Sequence, residues 1–267
     1  KFGKNGKVKL DGSSVVAPII YKNLIVTVTF DKTIEAYDQV DGSAVWKFSF
    51  EDPNNNKIVN GQNYINTGGN PWGGISVDTK RGILFITTGN PSYYFDGTKR
   101  PGLNKYSNSI IAFDLNQKKI IWDFQEVFHD IWNLDIPAAP ILTSVMLENK
   151  KKLDVVVAVT KLGNTFILDR LTGESLYDLN YQLVPKSKSS ISFTSKFQIN
   201  QKIPEPFSKS IFKKSDISNR NKISENYILE LIEDKKLGFF NSFEIGKKNI
   251  LYNFHGGAEW PGASIDH

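Results

Sequence analysis

Ile34-Glu35-Ala36-Tyr37-Asp38, Ile110-Ile111-Ala112-Phe113-Asp114 and Thr165-Phe166-Ile167-Leu168-Asp169 align without gaps, and eight residues after each Asp stands an aromatic, Trp46, Trp122 and Tyr177. Turn chemistry lies between Asp and aromatic, as in Asp41-Gly42 and Thr172-Gly173-Glu174. Each segment therefore predicts a hairpin: a short strand, a polar turn, and a return strand whose aromatic packs on a neighbouring sheet.

Working outward, each hairpin follows another short β-branched run, Leu24–Thr29, Gly82–Thr88 and Asp154–Thr160. Further upstream, Ala17-Pro18-Ile19-Ile20 matches Ala139-Pro140-Ile141-Leu142 as a first strand. Four-strand units in tandem predict an all-β fold, a β-propeller of four-stranded blades. The units exceed the ~40–45 residues of the plainest propeller repeat, so their loops carry insertions, and loops on a rigid scaffold are where function concentrates.

Trp72-Gly73-Gly74-Ile75-Ser76-Val77-Asp78 opens the second unit, and Trp260-Pro261-Gly262-Ala263-Ser264-Ile265-Asp266 opens another just before His267. About three blades and the start of a further one are thus expected. Closure takes ~4–8 blades, so the chain reads as a piece of a longer one. Residues 1–181 read as blades, 182–246 as an insertion between blades, and 247–267 as the start of the next blade. The insertion begins Lys-rich, passes Pro204-Glu205-Pro206, and shows helical spacing in Tyr227, Ile228, Leu231 and Ile232 behind a cap placed at Ser224.

Composition narrows function. The 267 residues are 40% hydrophobic, with Phe 18, Tyr 10 and Trp 5, enough for a β-rich core. Without cysteine there are no disulfides or thiolate metal sites. No apolar run of about 18 residues offers a membrane span. The net charge of +5 is concentrated: Lys186 to Lys222 holds eight Lys and one Arg against Glu205 and Asp216, leaving the rest slightly acidic. Positive charge confined to one Ser- and Pro-containing insertion, rather than to a folded face, argues against nucleic-acid binding.

Polar and aromatic motifs gather at the strand ends of the second and third units. They are Gly69-Asn70-Pro71-Trp72-Gly73-Gly74; Thr87-Thr88-Gly89-Asn90-Pro91-Ser92; Arg100-Pro101-Gly102-Leu103-Asn104; His129-Asp130-Ile131-Trp132-Asn133-Leu134-Asp135-Ile136-Pro137; and Lys161-Leu162-Gly163-Asn164, followed by Leu168-Asp169-Arg170-Leu171-Thr172-Gly173. In this order the set resembles the pyrroloquinoline quinone (PQQ) alcohol and glucose dehydrogenases. Lys161 and the Glu259-Trp260 pair resemble the membrane-bound glucose dehydrogenase branch.

That resemblance implies an eight-bladed propeller carrying PQQ beside Ca²⁺, another divalent ion or a lanthanide. It places Trp72 as the floor under the planar quinone, where an indole face suits stacking. The alternative is a blade-packing aromatic. Asn90 is implied as an oxygen ligand to the metal, against a turn-capping role before Pro91. Lys161 is implied as the cation near the quinone carbonyls, against a solvated lysine. Glu259 falls at a cofactor position in the glucose branch.

Asn133 departs from the family pattern. An Asp proposed to take the alcohol proton usually stands there, and an amide accepts no proton near neutral pH. Asp135, two residues on and on the same face of an extended chain, is the nearest carboxylate and a candidate base or metal ligand. Reliance on the metal as Lewis acid and loss of activity are the competing explanations. His129 and Asp130 read as structural. The implied function is oxidation of an alcohol or sugar hydroxyl, with electrons passing to a quinone or cytochrome, in the periplasm or at the inner membrane through other regions. A non-catalytic propeller scaffold is the alternative.

Overall fold

The computed structural model describes residues 1–50, 57–59, 62–64, 68–188, 194–209, 211–251 and 256–266. Three antiparallel sheets follow one another along the chain. The first runs β1 (Ile19–Tyr21), β2 (Leu24–Val28), β3 (Thr33–Asp38) and β4 (Ala44–Ser49), each strand paired with the next. A small hairpin, β5 (Lys57–Val59) with β6 (Gln62–Tyr64), precedes the second sheet. That sheet repeats the meander with β7 (Ile75–Asp78), β8 (Ile83–Thr87), β9 (Ser109–Asp114) and β10 (Lys119–Gln125). The third contains β11 (Ile141–Met146), β12 (Lys152–Val159) and β13 (Thr165–Asp169).

The repeated Asp explains the hairpins. Asp38 Oδ1 accepts from the Val40 and Asp41 N–H groups, Asp114 Oδ1 from Asn116 and Gln117, and Asp169 Oδ1 from Leu171 and Thr172. Each carboxylate closes its own turn, the local competition with regular structure that suits Asp to corners.

Strand alternation then builds the stack. On the second sheet, Leu84, Ile86, Ile111 and Phe113 face the first sheet and meet Val26, Val28, Ile34 and Ala36. Their neighbours Ile83, Phe85, Ile110 and Ala112 face the third and meet Val156, Ala158, Phe166 and Leu168. Both faces are apolar because both are covered, as radially stacked blades require. Each fully buried Leu, Ile or Phe contributes about 1.5–3 kcal/mol. Trp46 stacks on Phe113 of the next sheet at 5.9 Å between ring centroids. Trp122 likewise reaches the next sheet's turn, donating from Nε1 to Arg170 O (3.2 Å).

The third unit departs from the four-strand expectation. After β13 the return strand is a single bridge, Leu168 to Ser175, and Tyr177 is 40% exposed. The Ser175 hydroxyl donates to Tyr177 O and accepts from Tyr177 N, turning the chain locally and ending the ladder. Trp260–Asp266 forms no strand and has no neighbouring strand to pair with among the described residues.

Beyond β13 lie β14 (Tyr181–Leu183) with β15 (Phe197–Ile199), helix α1 (Lys222–Ile232), and the short parallel pair β16 (Lys235–Lys236) and β17 (Lys248–Asn249). The helix cap is Asn221, whose side chain accepts from Ser224 N (2.9 Å). Ser224 thus lies in the first turn, three residues after the cap, because the Asn carboxamide takes the orphan N–H. Part of this region covers one end of the blades: Val184, Phe239 and Phe240 bury against Val127, Ile131, Trp132, Leu134 and Leu162, with Ile211 and Phe243 beside them. No helix among the described residues is long and apolar enough to cross a membrane.

Candidate functional site

Three loops converge at that covered end. The first, Gly69–Gly74, approaches so closely that side chains are excluded. A Cβ at Gly69 would collide with the Gly89 carbonyl, and one at Gly73 would lie 2.7 Å from Ile136 O. These contacts, with the Trp72 N–H donating to Asn70 O (3.0 Å) and Gly89 N–H to the same oxygen (2.8 Å), set the indole of Trp72 beside the 133–137 segment.

The second loop is built by Asp130. This fully buried carboxylate accepts from Trp132 N (2.7 Å), Leu134 N (2.8 Å) and Asn108 Nδ2 (2.8 Å). Burial raises its pKa and the donors oppose that rise. Asn133 between them takes a left-handed backbone, φ 68°, which Asn tolerates. Arg100, wholly buried, braces this loop from behind by donating to Asp130 O (2.6 Å), Tyr94 O (2.5 Å) and Asn104 Oδ1 (2.6 Å). Desolvation brings its pKa down to about 10. His129 hydrogen-bonds through Nδ1 with Gly102 O (2.8 Å), and burial pushes its pKa down to about 4. His129 and Asp130, both read as structural from the sequence, bind loop backbone here.

The third loop is the Thr160–Asn164 turn. Gly163, at φ 80°, accepts the Phe207 N–H at its carbonyl (2.9 Å), and Thr160 O and Lys161 O accept from Ala258 N (3.1 Å) and Gly257 N (2.7 Å). Gly256–Glu259 is therefore laid along the turn. A Cβ added to Gly256 would sit 2.6 Å from Lys161 Cγ and 3.0 Å from Glu259 Oε1, so Glu259 and Lys161 flank one glycine.

These loops bring the sequence-predicted residues together around Asp135. Its Oδ2 accepts from Trp72 Nε1 at 2.6 Å, and its Oδ1 accepts from Lys161 Nζ at 2.5 Å. The Lys161–Asp135 pair is almost entirely removed from solvent, with side-chain exposures of 7% and 5%. Lys161 also lies 5.9 Å from the Trp72 ring centroid and 3.4 Å from Asn133 O. Asn90 joins through Asn133, donating from Nδ2 to Asn133 Oδ1 (3.1 Å). Trp72, Asn133 and Glu259 are half-buried, whereas Asn90, Asp135 and Lys161 are buried. Among the described residues no three His, Asp or Glu side chains cluster as a self-sufficient metal site. Trp260, next to Glu259, is 73% exposed.

One residue beside this site went unread in the sequence. Glu126, 1% exposed, accepts at Oε1 from Thr160 Oγ1 and Asn164 Nδ2, both 2.8 Å, and so grips the Lys161 turn from inside. Burial raises its pKa to about 8. A signal existed: in Trp122, Phe124, Glu126 the alternation places an acid on a core-facing phase.

Comparison with known proteins fits this arrangement. Residues 1–267 match the PQQ family described as the glucose/ethanol/alcohol dehydrogenase β-propeller domain. Quinoprotein glucose dehydrogenase A of Acinetobacter calcoaceticus is 26% identical over 208 residues, covering 70% of this chain and 26% of that protein. Quinoprotein glucose dehydrogenase of Escherichia coli K12 is 30% identical over 156 residues, covering 57% of this chain and 19% of that protein. The quinohemoprotein alcohol dehydrogenase of Comamonas testosteroni shares the fold at a TM-score of 0.52, with 23% identity, over 73% of this chain and 32% of that one. The chain spans about a quarter of the length of these relatives. With blades, loop motifs and the full-length family match in agreement, the chain belongs to the β-propeller domain family of the PQQ-dependent glucose, ethanol and alcohol dehydrogenases.

Proposed function

We propose that this chain forms part of a PQQ-dependent dehydrogenase that oxidises an alcohol or sugar hydroxyl, and that Trp72, Asp135 and Lys161 are its share of the active site. The supporting observation is the convergence of indole, carboxylate and ammonium, drawn from three loops and from two successive blades, on one largely buried spot.

The residues present fit such a cofactor. A planar, polyanionic quinone suits an aromatic face with an ammonium at its edge. Trp72 supplies the face and Lys161 the cation, 5.9 Å from the ring centroid. PQQ, when bound, supplies the two-electron acceptor that no protein side chain provides. Lys161 would stabilise negative charge developing on an oxygen that its ammonium faces. Asp135 takes the substrate hydroxyl proton, a role closed to the Asn133 carboxamide beside it. Trp72 and Lys161 each hold one Asp135 oxygen, fixing the carboxylate's orientation.

A metal ion has oxygen donors here in Asn90 and Asp135, hard groups suited to Ca²⁺ or a lanthanide. Two residues are an incomplete set against the six to eight oxygens Ca²⁺ takes, so other blades and the cofactor complete it. As a Lewis acid the ion would polarise the reacting carbonyl. Glu259, beside Lys161, is assigned to the cofactor rim. Residues 1–181 are assigned to blades, 182–246 to an insertion walling the site and 247–267 to the next blade. The substrate is a small alcohol or sugar, the acceptor a membrane quinone or a cytochrome, and the location periplasmic.

Reconstitution of the full-length protein with PQQ and Ca²⁺, followed by dye reduction with alcohols and aldoses, tests the reading. Cofactor-dependent turnover is the expected result. Neither a spectral change nor turnover on adding PQQ would leave the non-catalytic scaffold, which Asn133 favours, as the better account.

A further inference from the structure

Glu126 lies one residue beyond β10, on the phase that faces the third sheet. The β9–β10 register pairs Phe124 with Ile110 and Gln125 with Ser109. One step further sets Asn108 opposite Glu126, and the Glu126 N–H donates to Asn108 O (2.9 Å). Ile110 and Ala112 face the third sheet, so Asn108 shares their phase and that of Glu126.

The polar atoms of this pair do not balance as acceptors alone. Glu126 Oε1 takes two donors, from Thr160 and Asn164, while Oε2 is buried with none. Asn108 Nδ2 donates to Asp130, while its Oδ1 is buried with none. One hydrogen shared between these two orphaned oxygens on facing residues would satisfy both. Burial and the nearby charge of Asp130 both favour the protonated acid at Glu126, against the pull of its two donors.

We propose that Glu126 is a positioning residue for Lys161: its Oε2 carries a proton donated to Asn108 Oδ1, closing a buried strut between the Lys161 turn and the Asn133–Asp135 loop. The strut runs from Thr160 and Asn164 through Glu126, Asn108 and Asp130 to the N–H groups of Trp132 and Leu134. Its two ends frame the two partners of the Lys161–Asp135 ion pair. Losing the proton puts a buried carboxylate beside Asp130 and takes the donor away from Asn108, so the strut opens. Its consequence for PQQ rests on the function proposed above; the strut itself does not.

The full-length protein and its Glu126→Gln and Glu126→Ala variants distinguish these points. Glutamine donates to Asn108 at every pH and so imitates the protonated acid permanently. Without cofactor, infrared spectra in D2O should show a buried protonated carboxyl band that is missing from Glu126→Gln and titrates near pH 8. With PQQ added and tryptophan quenching followed, wild-type affinity should weaken about tenfold as the strut opens at alkaline pH, the worth of one buried hydrogen bond. Glu126→Gln should stay flat across that range, and Glu126→Ala should bind weakly throughout. If the alanine protein does not fold, the glutamine comparison still decides. A missing band at neutral pH, or a glutamine variant that keeps the wild-type pH dependence, overturns the strut. PQQ bound by neither protein while the band is present supports the strut and overturns the cofactor assignment.

Discussion

Asp135 is held by two donors at once, and the energetic result depends on keeping all three partners. Removing Lys161 alone, as in Lys161→Met, leaves a buried carboxylate short of its cation and should cost about 3–5 kcal/mol. Lys161→Met/Asp135→Asn should cost clearly less than the two single changes summed, a coupling readable from urea unfolding of the four proteins. In the reconstituted enzyme Asp135→Asn should lower turnover about 10²–10⁴-fold with a smaller effect on PQQ affinity. Trp72→Ala should do the reverse, weakening PQQ binding about tenfold or more through the lost stacking face. Unaltered affinity in Trp72→Ala would remove the indole from the cofactor floor. At this scale the sequence singles out a reactive side chain where it sits inside a turn motif, as Trp72, Asn90 and Lys161 do, and the fold gathers these three near Asp135 and Asn133. Glu126 escaped because its meaning depends on strand phase and on a partner 34 to 38 residues away, neither of which a motif displays.

At the level of strands and turns, hairpins were legible because each carries its own Asp clamp and an aromatic at fixed spacing. What failed was the assumption that an aligned aromatic guarantees a strand. Tyr177 aligns with Trp46 and Trp122, yet the Ser175 hydroxyl bends the chain before a ladder forms. Gly173 marks where neighbouring blades touch: it has φ 75°, and an added Cβ would fall 2.6 Å from Trp122 Cδ2. Gly173→Ala should therefore destabilise by about 1–3 kcal/mol, combining backbone strain with overpacking. A thermal midpoint equal to wild type would show that the Trp122 contact can relax without loss.

Across the whole molecule, stability should vary with pH through buried groups of opposite sign. The pKa of His129 falls to about 4 in the folded protein from an unfolded value near 6.5. Between those values the unfolded chain binds the extra proton, so stability declines as pH drops from 6.5 towards 4 and the loss is complete below. Glu126, raised to about 8, acts oppositely: stability falls as pH climbs from its unfolded value of about 4.3 to 8 and is level above. Urea midpoints of Glu126→Gln should accordingly exceed wild type most near pH 8 and converge with it near pH 4. Convergence at every pH would show that Glu126 is not protonated in the folded state. The packing of Val184, Phe239 and Phe240 over Trp132 could not be read from the sequence, because long-range apolar contacts between irregular segments leave no periodic trace.

The second blade has oil on both sides, and that changes what keeps its strands aligned. In most sheets water decides which way a strand faces, since a slip of one residue would carry polar groups inward. Here such a slip would exchange Leu84 and Ile86 for Ile83 and Phe85 without wetting any of them. Solvent therefore has no preference to express, and alignment must be dictated from the corners, where Asp78 and Asp114 each hold the N–H groups two and three residues on as the chain reverses. Loss of one such carboxylate should produce a blade shifted by a residue rather than one that melts, a protein that looks folded by circular dichroism while its loops no longer meet.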